Sequence, residues 1–241
     1  MRKSLSLSIL FILVTFFAAG CGPIKKLIGG SAQEIPLTIA DIEPKLAAFG
    51  GASFGFSDDS EEGLVTYVQI GDPAYDDFFK ASAKLNGLVL LCKGMTTTAT
   101  GQLKKFAQSK AADAALAENI KELVGDTPKE EWTTEQSIAV MKMSRMQGKM
   151  DLEEGKYFAT TAGSIGVAVI ALGKGVGEAK DLLPKGADLL NNVSSLKPMM
   201  VPAATKGVKG SIDNLKSVVD NTPKMLEEMN VLISAFGQLN N

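Results

Sequence analysis

The strongest indication of the fold is the stretch of residues 72–110, DPAYDDFFKASAKLNGLVLLCKGMTTTATGQLKKFAQSK. It opens with Asp72-Pro73, an order typical of a helix N-cap followed by the first helical position. Behind this start, apolar and small residues recur in alternating steps of four and three, at Phe78, Ser82, Leu85, Val89, Cys92, Thr96, Ala99, Leu103 and Phe106. This heptad spacing predicts one helix of roughly ten turns, ending near Lys110. The threonines at 96, 97, 98 and 100 weaken its helix propensity, so a break near them is an open alternative.

Two further helices are predicted between residues 111 and 173. The first carries Leu116, Ile120 and Val124 on one face and ends before a glycine, Gly125. Asp126-Thr127-Pro128 then breaks the chain. Thr133 and Gln136 form a capping-box pattern, which predicts the start of a second long helix that runs toward Gly173.

The last third of the chain predicts three shorter helices separated by prolines. Residues 176–193 carry a helical pattern that is interrupted at Pro184. Residues 204–219 form a second amphipathic segment, and Thr222-Pro223 marks the start of a third. We therefore expect an all-α protein, an elongated helical bundle built on a long antiparallel hairpin of the two long helices.

Residues 37–71 predict a small element that precedes this bundle, which occupies residues 72–241. Residues 38–49 suggest a short helix ended by Gly50-Gly51. Successive side chains of residues 64–70 form two sets, one at the even and one at the odd positions, as the two faces of a strand require. We expect this strand to pair with residues 52–56 as a β-hairpin. A small irregular or β element is therefore expected near the N-terminus.

Glycines recur at intervals of seven inside the two predicted long helices. They are Gly87, Gly94 and Gly101 in the first helix and Gly148 and Gly155 in the second. Each interior glycine lowers helix stability by about 1 kcal/mol relative to alanine. Glycines repeated at a fixed interval therefore indicate a role in packing. We interpret the two sets as facing stripes that let the helix backbones approach closely. The alternative is that these glycines mark breaks between shorter helices.

The first 22 residues, MRKSLSLSILFILVTFFAAGCG, have the order of an export signal. Two basic residues precede an apolar run that is short for a membrane span, and small residues, Ala18 and Gly20, mark a cleavage site before Cys21. The order small-small-Cys resembles the lipobox of bacterial lipoproteins, in a permissive form similar to that of spirochaetes. Ordinary signal peptidase could cut at the same bond and leave Cys21 unmodified. Both alternatives make residues 1–20 a removable signal peptide.

The lipobox resemblance implies a location and a way of attachment. Cys21 would carry acyl chains such as palmitate and anchor the protein in a membrane of the bacterial cell envelope, by analogy the outer membrane. Residues 21–36, which include Gly29-Gly30, then form a flexible tether. Two or three acyl chains would make release negligible, because each buried methylene contributes about 0.8 kcal/mol.

Composition excludes several functions. Arg2 and Lys3 leave with the signal, so 23 basic residues face 27 acidic ones and the net charge falls from -2 to -4, which disfavours nucleic acid as a partner. The chain has no histidine, so no Ser-His-Asp triad can form, and no pattern indicates a cofactor or a metal site. Cys92 lies in an apolar run and is expected to be a buried, unreactive thiol, the rival being a disulfide with Cys21 if that residue stays unlipidated.

These features favour a non-enzymatic lipoprotein that presents a helical body at a membrane surface, with a structural or interaction role. One alternative is a carrier or sensor of an apolar ligand, held in a cavity between helices rich in methionine, at residues 141, 143, 146, 150, 225 and 229. Another is a membrane-perturbing protein that uses the uncharged residues 157–173. That segment is short for a membrane span, so a buried central helix of the bundle is the preferred interpretation.

Overall fold

The computed structural model describes residues 32–48 and 64–240, and for Ala48 the backbone only. Within them the protein is mostly helical, with a small two-stranded antiparallel sheet near the N-terminus. In chain order the elements are β1 Gln33–Leu37, α1 Ile39–Ile42, α2 Pro44–Ala48, β2 Val65–Gln69, α3 Pro73–Lys110, α4 Ala117–Val124, α5 Thr134–Met146, α6 Leu152–Asn191 and α7 Val201–Asn240. Short 3-10 turns lie at Lys129–Glu131 and Val193–Ser195.

Three long helices, α3, α6 and α7, form the bundle. The short connection after Asn191 reverses the chain, so α6 and α7 make an antiparallel hairpin that packs along its length. Helix α3 also runs antiparallel to α6, because the Tyr75 hydroxyl donates to the Leu189 carbonyl at one end and Lys110 pairs with Glu154 at the other. A 40-residue helix is about 60 Å long, so the expected elongated bundle on a long antiparallel hairpin is confirmed.

Helix α3 has the limits that the sequence predicts. The Asp72 carboxylate accepts from the backbone N–H groups of Ala74 and Tyr75, which caps the helix before Pro73. Most of the heptad stripe is buried, and the helix runs without a break to Lys110. The threonines do not interrupt it. Thr96, for example, turns its hydroxyl back to the Cys92 carbonyl at 2.9 Å.

The predicted second long helix over residues 133–173 is wrong in its extent. The capping box of Thr133 and Gln136 starts α5, but that helix ends at Met146. Gly148 then adopts a φ of +67°, a left-handed conformation that glycine tolerates, and a new capping box begins α6 after Asp151. Helix α6 continues through Gly173 and Pro184 to Asn191, so the predicted interruption at Pro184 is also absent.

The three shorter C-terminal helices predicted from the prolines are wrong too, because α7 is a single helix that contains Pro223. A proline in a helix interior costs about 3 kcal/mol. Here Val218, Thr222 and Met229 are buried on both sides of it, and the Thr222 hydroxyl donates to the Val218 carbonyl. Burial of a continuous apolar face offsets the local cost and keeps the helix intact.

The β-hairpin exists, but the strand partner differs from the prediction. β2 pairs with β1 in the register Gln33 to Gln69 and Leu37 to Val65, whereas the predicted partner, residues 52–56, lies outside the described residues. Strand β1 also takes the last part of the predicted tether, residues 21–36. The short helix predicted over residues 38–49 is two helices, α1 and α2, and its predicted stop at Gly50-Gly51 lies outside the described residues.

The bundle has two ends, which we name by their distance from the β-hairpin formed by β1 and β2. The proximal end contains β1, β2, the start of α3 and the connection between α6 and α7. The distal end contains the end of α3, the start of α6 and the end of α7, with α4 and α5 nearby. A smaller apolar cluster around Tyr75, Phe78 and Phe79 fills the proximal end, and a larger one that contains Phe158 and Phe236 fills the middle and the distal end.

Candidate functional site

The best candidate for a binding site is a cleft at the proximal end. It lies between the β-hairpin, the first turns of α3 and the first part of α7, is open to solvent, and has a volume of about 610 Å³. Ligand pockets commonly occupy roughly 300–1,000 Å³. The described residues that line the cleft are Glu34, Thr66, Tyr67, Val68, Phe79, Ala83, Pro202, Thr205, Lys206, Gly207, Lys209, Gly210, Ser211 and Asn214.

Two glycines of α7 shape the inner wall of the cleft. A Cβ at Gly207 would lie 2.6 Å from Cζ of Phe79, so the absence of a side chain lets this ring pack directly on the helix backbone. A Cβ at Gly210 would meet no atom within 4 Å, because it would point into open space. Phe79 and Ala83, whose side chains are buried, contribute an apolar floor.

The rim of the cleft is polar and carries charge. Lys206 and Lys209 are exposed and lie three residues apart on α7, so they occupy neighbouring positions on the helix surface. Glu34 lines the cleft from the hairpin side. Ser211 is held at the edge of the bundle core, where its carbonyl accepts a hydrogen bond from the buried Ser82 hydroxyl at 3.1 Å. The cleft thus combines an apolar floor with a cationic helix edge.

The cleft lies at the end of the bundle where the N-terminal segment joins it. Gln33 pairs with Gln69, three residues before the N-cap Asp72, so the chain enters the described structure beside the first turn of α3. Eleven residues, 22–32, lie between Cys21 and Gln33, so twelve peptide links join the two. A fully extended chain of that length spans at most about 40 Å.

The predicted lipidation and cleavage residues, Cys21, Ala18 and Gly20, lie outside the described residues. The other cysteine is described, and Cys92 is fully buried with no disulfide partner among the described residues. Burial raises the pKa of the Cys92 thiol to about 12, with a smaller contribution from the charge of Glu43. The prediction of a buried thiol in an apolar surrounding is therefore confirmed.

The glycines predicted as facing stripes do not bring two long helices together. A Cβ at Gly87 would meet Ile42 of α1 at 2.4 Å, so that glycine admits the N-terminal element rather than a long helix. A Cβ at Gly101 would meet nothing within 4 Å, and Gly148 is not helical at all. Gly94 is half-buried within α3, and a Cβ at Gly155 would make only an ordinary contact with Met150 in the turn before α6.

Different glycines make the close contacts between the long helices. A Cβ at Gly186 of α6 would lie 2.7 Å from Phe78 and 2.8 Å from Ile212, which come from α3 and α7. Gly175 faces Leu85 and Leu88 of α3, and Gly207 faces Phe79. These positions could not be predicted from the sequence, because they follow no regular interval. A periodic pattern does not predict which glycine contacts a large side chain of another helix.

Residues 157–173 lie within α6, where the inward face of the segment is buried at Phe158, Ile165, Ala168 and Leu172. By length and hydropathy, α6 is the one described helix that could cross a membrane, a test that core helices of soluble proteins also pass. Its outward face also carries an exposed apolar side chain, since Ile170 is 62% exposed. Entering a bilayer would separate this segment from the core residues of α3 and α7 that cover it.

The methionines of the predicted ligand cavity differ in their surroundings. Met141 and Met229 are completely buried in the larger apolar cluster, while Met146 is 86% exposed beyond the end of α5. The cleft lies at the proximal end of the bundle, and no methionine is among the described residues that line it. Its signal in the sequence is weak, because strand β1, which contributes Glu34, and the glycines of α7 are distant in the chain.

Among residues 32–48 and 64–240, no group of three histidine, cysteine, aspartate or glutamate side chains is arranged to hold a metal ion. No known family model matches the chain, and neither the curated proteins nor the solved structures contain a match to it. The function must therefore be argued from the chain's own residues and geometry.

Proposed function

We propose that this protein is an exported, lipid-anchored, non-enzymatic protein of the bacterial cell envelope that holds a rigid helical body at the membrane surface. The observation that carries the proposal is the order of residues 1–21, a basic start, an apolar run and small residues directly before Cys21. The outer membrane is the proposed location, by analogy with lipoproteins whose anchor cysteine is followed by a residue other than aspartate. Here that residue is Gly22.

The arrangement of the described chain supports this role in a specific way. The segment from Cys21 reaches the bundle at β1, so an anchor at Cys21 would hold the proximal end, with its cleft, within about 40 Å of the bilayer. The distal end, about 60 Å along the bundle, could then extend away from the membrane. Acyl chains on one cysteine would suffice to hold such a body, because two chains bind a bilayer far more tightly than one.

Replacement of the two cysteines tests the anchor. Cys21→Ser should abolish incorporation of radiolabelled palmitate and should move the protein from the detergent phase to the aqueous phase in a phase-separating detergent. Cys92→Ala is the matched control. Because the Cys92 thiol is buried, its replacement should leave labelling and partition unchanged. Labelling that persists in Cys21→Ser, or a bare thiol at residue 21 of the native mature protein by intact mass, would contradict the proposal.

The cleft supports a second candidate, a carrier or sensor of an apolar ligand. Its volume of about 610 Å³ falls in the range of small-molecule sites, and its floor is formed by the apolar residues Phe79 and Ala83. This candidate needs no acylation at Cys21, so the two functions can be tested separately. They are also compatible, since an anchored carrier would present its cleft close to a membrane.

A further inference from the structure

We propose that the cleft binds a single-chain amphiphile with an anionic head group, such as a fatty acid. The apolar chain lies along the floor between the hairpin and α7, and the head group lies at the edge of the cleft between Lys206 and Lys209. This inference rests on the carrier function named above and names the ligand class for it. It does not depend on acylation of Cys21.

The floor accounts for the apolar part of the ligand. Tyr67 and Val68 are half-buried on the hairpin side, and Phe79 and Ala83 are buried on the α3 side. On the third side, Gly210 presents backbone without a side chain and faces open space. Water in this space has few polar partners on the floor, so an alkyl chain that displaces this water gains binding free energy with each methylene that it buries.

The rim accounts for the charge of the head group. Two ammonium groups, from Lys206 and Lys209, stand on one helix edge, and Glu34 is the one carboxylate among the described residues that line the cleft. The chain as a whole is weakly acidic, because its 27 acidic residues outnumber its 25 basic residues. A local excess of positive charge on an acidic protein is selective for an anion at that place, since like charges elsewhere repel it.

Photoaffinity labelling of the whole protein tests the proposal. Native protein in phosphatidylcholine vesicles is irradiated with a diazirine analogue of palmitic acid, and the labelled peptides are mapped by mass spectrometry. We expect label in peptides from residues 66–68, 79–83 and 202–214, which contain nearly all the described residues that line the cleft. Label spread evenly over exposed apolar residues, for example Ile170 and Met146, would overturn the proposal.

Filling the cleft should remove the label. Gly210→Trp places an indole in the open space, and we expect labelling of the cleft peptides to fall about tenfold or more, the equivalent of at least 1.4 kcal/mol of binding. Gly237→Trp is the matched control, because Gly237 lies on the same helix, also faces open space and is remote from the cleft. Equal labelling of the two variants would overturn the assignment of the cleft.

The head group has its own test. Lys206→Glu/Lys209→Glu should reduce labelling several-fold, whereas Lys216→Glu/Lys224→Glu, on the same helix but outside the lining, should not. A neutral diazirine alcohol of equal chain length should label less than the acid. Efficient labelling by a phosphate-headed lysolipid analogue as well as by the acid would make anionic charge the determinant, and labelling by the acid alone would restrict the head group to a carboxylate.

The same measurement separates this proposal from the anchor. Cys21→Ser protein, mixed with the vesicles, should be labelled in the same peptides as the native protein even if it no longer stays with the membrane fraction. Cleft labelling without partition into membranes would contradict only the anchor, and partition without cleft labelling would contradict only the ligand. Labelling by the neutral alcohol at the level of the acid would refute the anionic head group.

Discussion

The two ends of the bundle are built differently. At the distal end, Phe106, Phe158 and Phe236 pack ring against ring, with centroid separations of 5.6 Å between the first two and 5.0 Å between the last two. There Lys110 at the end of α3 makes a 2.7 Å ion pair with Glu154 at the start of α6. At the proximal end, Phe78 and Phe79 also pack against each other, with centroids 6.1 Å apart, but each ring packs on a glycine as well, and the surface stays open as a cleft.

From this difference we expect a division of tasks between the ends, with stability at the distal end and the proposed ligand binding at the proximal end. Packed aromatic rings and a largely buried ion pair hold the three helices together at the distal end. The ion pair is also favourable to both helix dipoles, because the positive charge lies at a helix C-terminus and the negative charge at a helix N-terminus. At the proximal end the Phe79 ring covers Gly207, whereas Gly210 leaves the backbone of α7 bare beside the β-hairpin, in the cleft where we propose that the ligand binds. We therefore expect distal substitutions to change stability and proximal surface substitutions to change binding.

The largest effect is expected for Phe158→Ala. This ring is fully buried and contacts Phe106 and Phe236, so its removal leaves a cavity that joins three helices. We expect the free energy of unfolding to fall by about 3–5 kcal/mol in urea denaturation. Ile170→Ala on the exposed face of the same helix is the control and should change it by less than about 0.5 kcal/mol. A loss below 1 kcal/mol for Phe158→Ala would mean that this cluster does not hold the bundle.

The next effect concerns the ion pair. Glu154→Gln preserves an oxygen that can accept from the Asp151 N–H, but it leaves the Lys110 ammonium without its anionic partner. We expect a loss of about 2 kcal/mol in unfolding free energy. The control is Glu153→Gln, which weakens an exposed pair with Lys156 and should cost at most a few tenths of that. Equal effects of the two changes would contradict a stabilising role for the Lys110–Glu154 pair.

Two glycines of α7 should respond in opposite directions to the same substitution. Gly207→Ala forces a methyl group against the buried Phe79 ring, and we expect it to lower unfolding free energy by about 1–2 kcal/mol. Gly210→Ala meets open space and should raise it by up to about 1 kcal/mol, because alanine favours the helix. Thermal denaturation of the two variants measures both signs. The same sign in both would refute the described packing of Phe79.

The smallest effect is a dependence of the unfolding free energy on pH, which comes from the Cys92 thiol in the middle of α3. The folded protein holds the proton of Cys92 with a pKa of about 12, whereas an exposed thiol has a pKa near 9.0. Since the unfolded chain loses this proton first, the stability is fully present below pH 9 and is lost as the pH rises toward 12. We expect the native protein to lose about 1 kcal/mol more than Cys92→Ala between pH 8 and pH 10 in urea denaturation. Parallel pH profiles would mean that the thiol is not buried.

Sequence patterns predicted those parts of the fold that local chemistry determines. The Asp72 cap, the heptad stripe of α3 and the capping box at Thr133 each depend on residues within a few turns of one another. Prolines misled the prediction, because the cost of Pro184 and Pro223 is local whereas the burial that offsets it comes from other helices. The conformation of Gly148 was missed for a similar reason, since a glycine at seven-residue spacing fits a helix and a turn equally well.

The candidate site was less predictable than the fold. The cleft joins the β-hairpin and the start of α3 to the start of α7, which lies more than a hundred residues further along the chain. A single sequence contains no signal for which of these segments meet. The predicted pairing of residues 64–70 with residues 52–56 also hid the role of β1, whose partner lies nearly thirty residues away.

Hydrogen–deuterium exchange of the vesicle-bound protein, with and without palmitate, tests the division of tasks most directly. We expect palmitate to slow exchange in residues 66–68 and in the first turns of α7, while the exchange rates of amides around Phe158 and Phe236 stay unchanged. Protection that appears equally at both ends, or only around Phe158, would contradict the assignment of binding to the proximal end and of stability to the distal end.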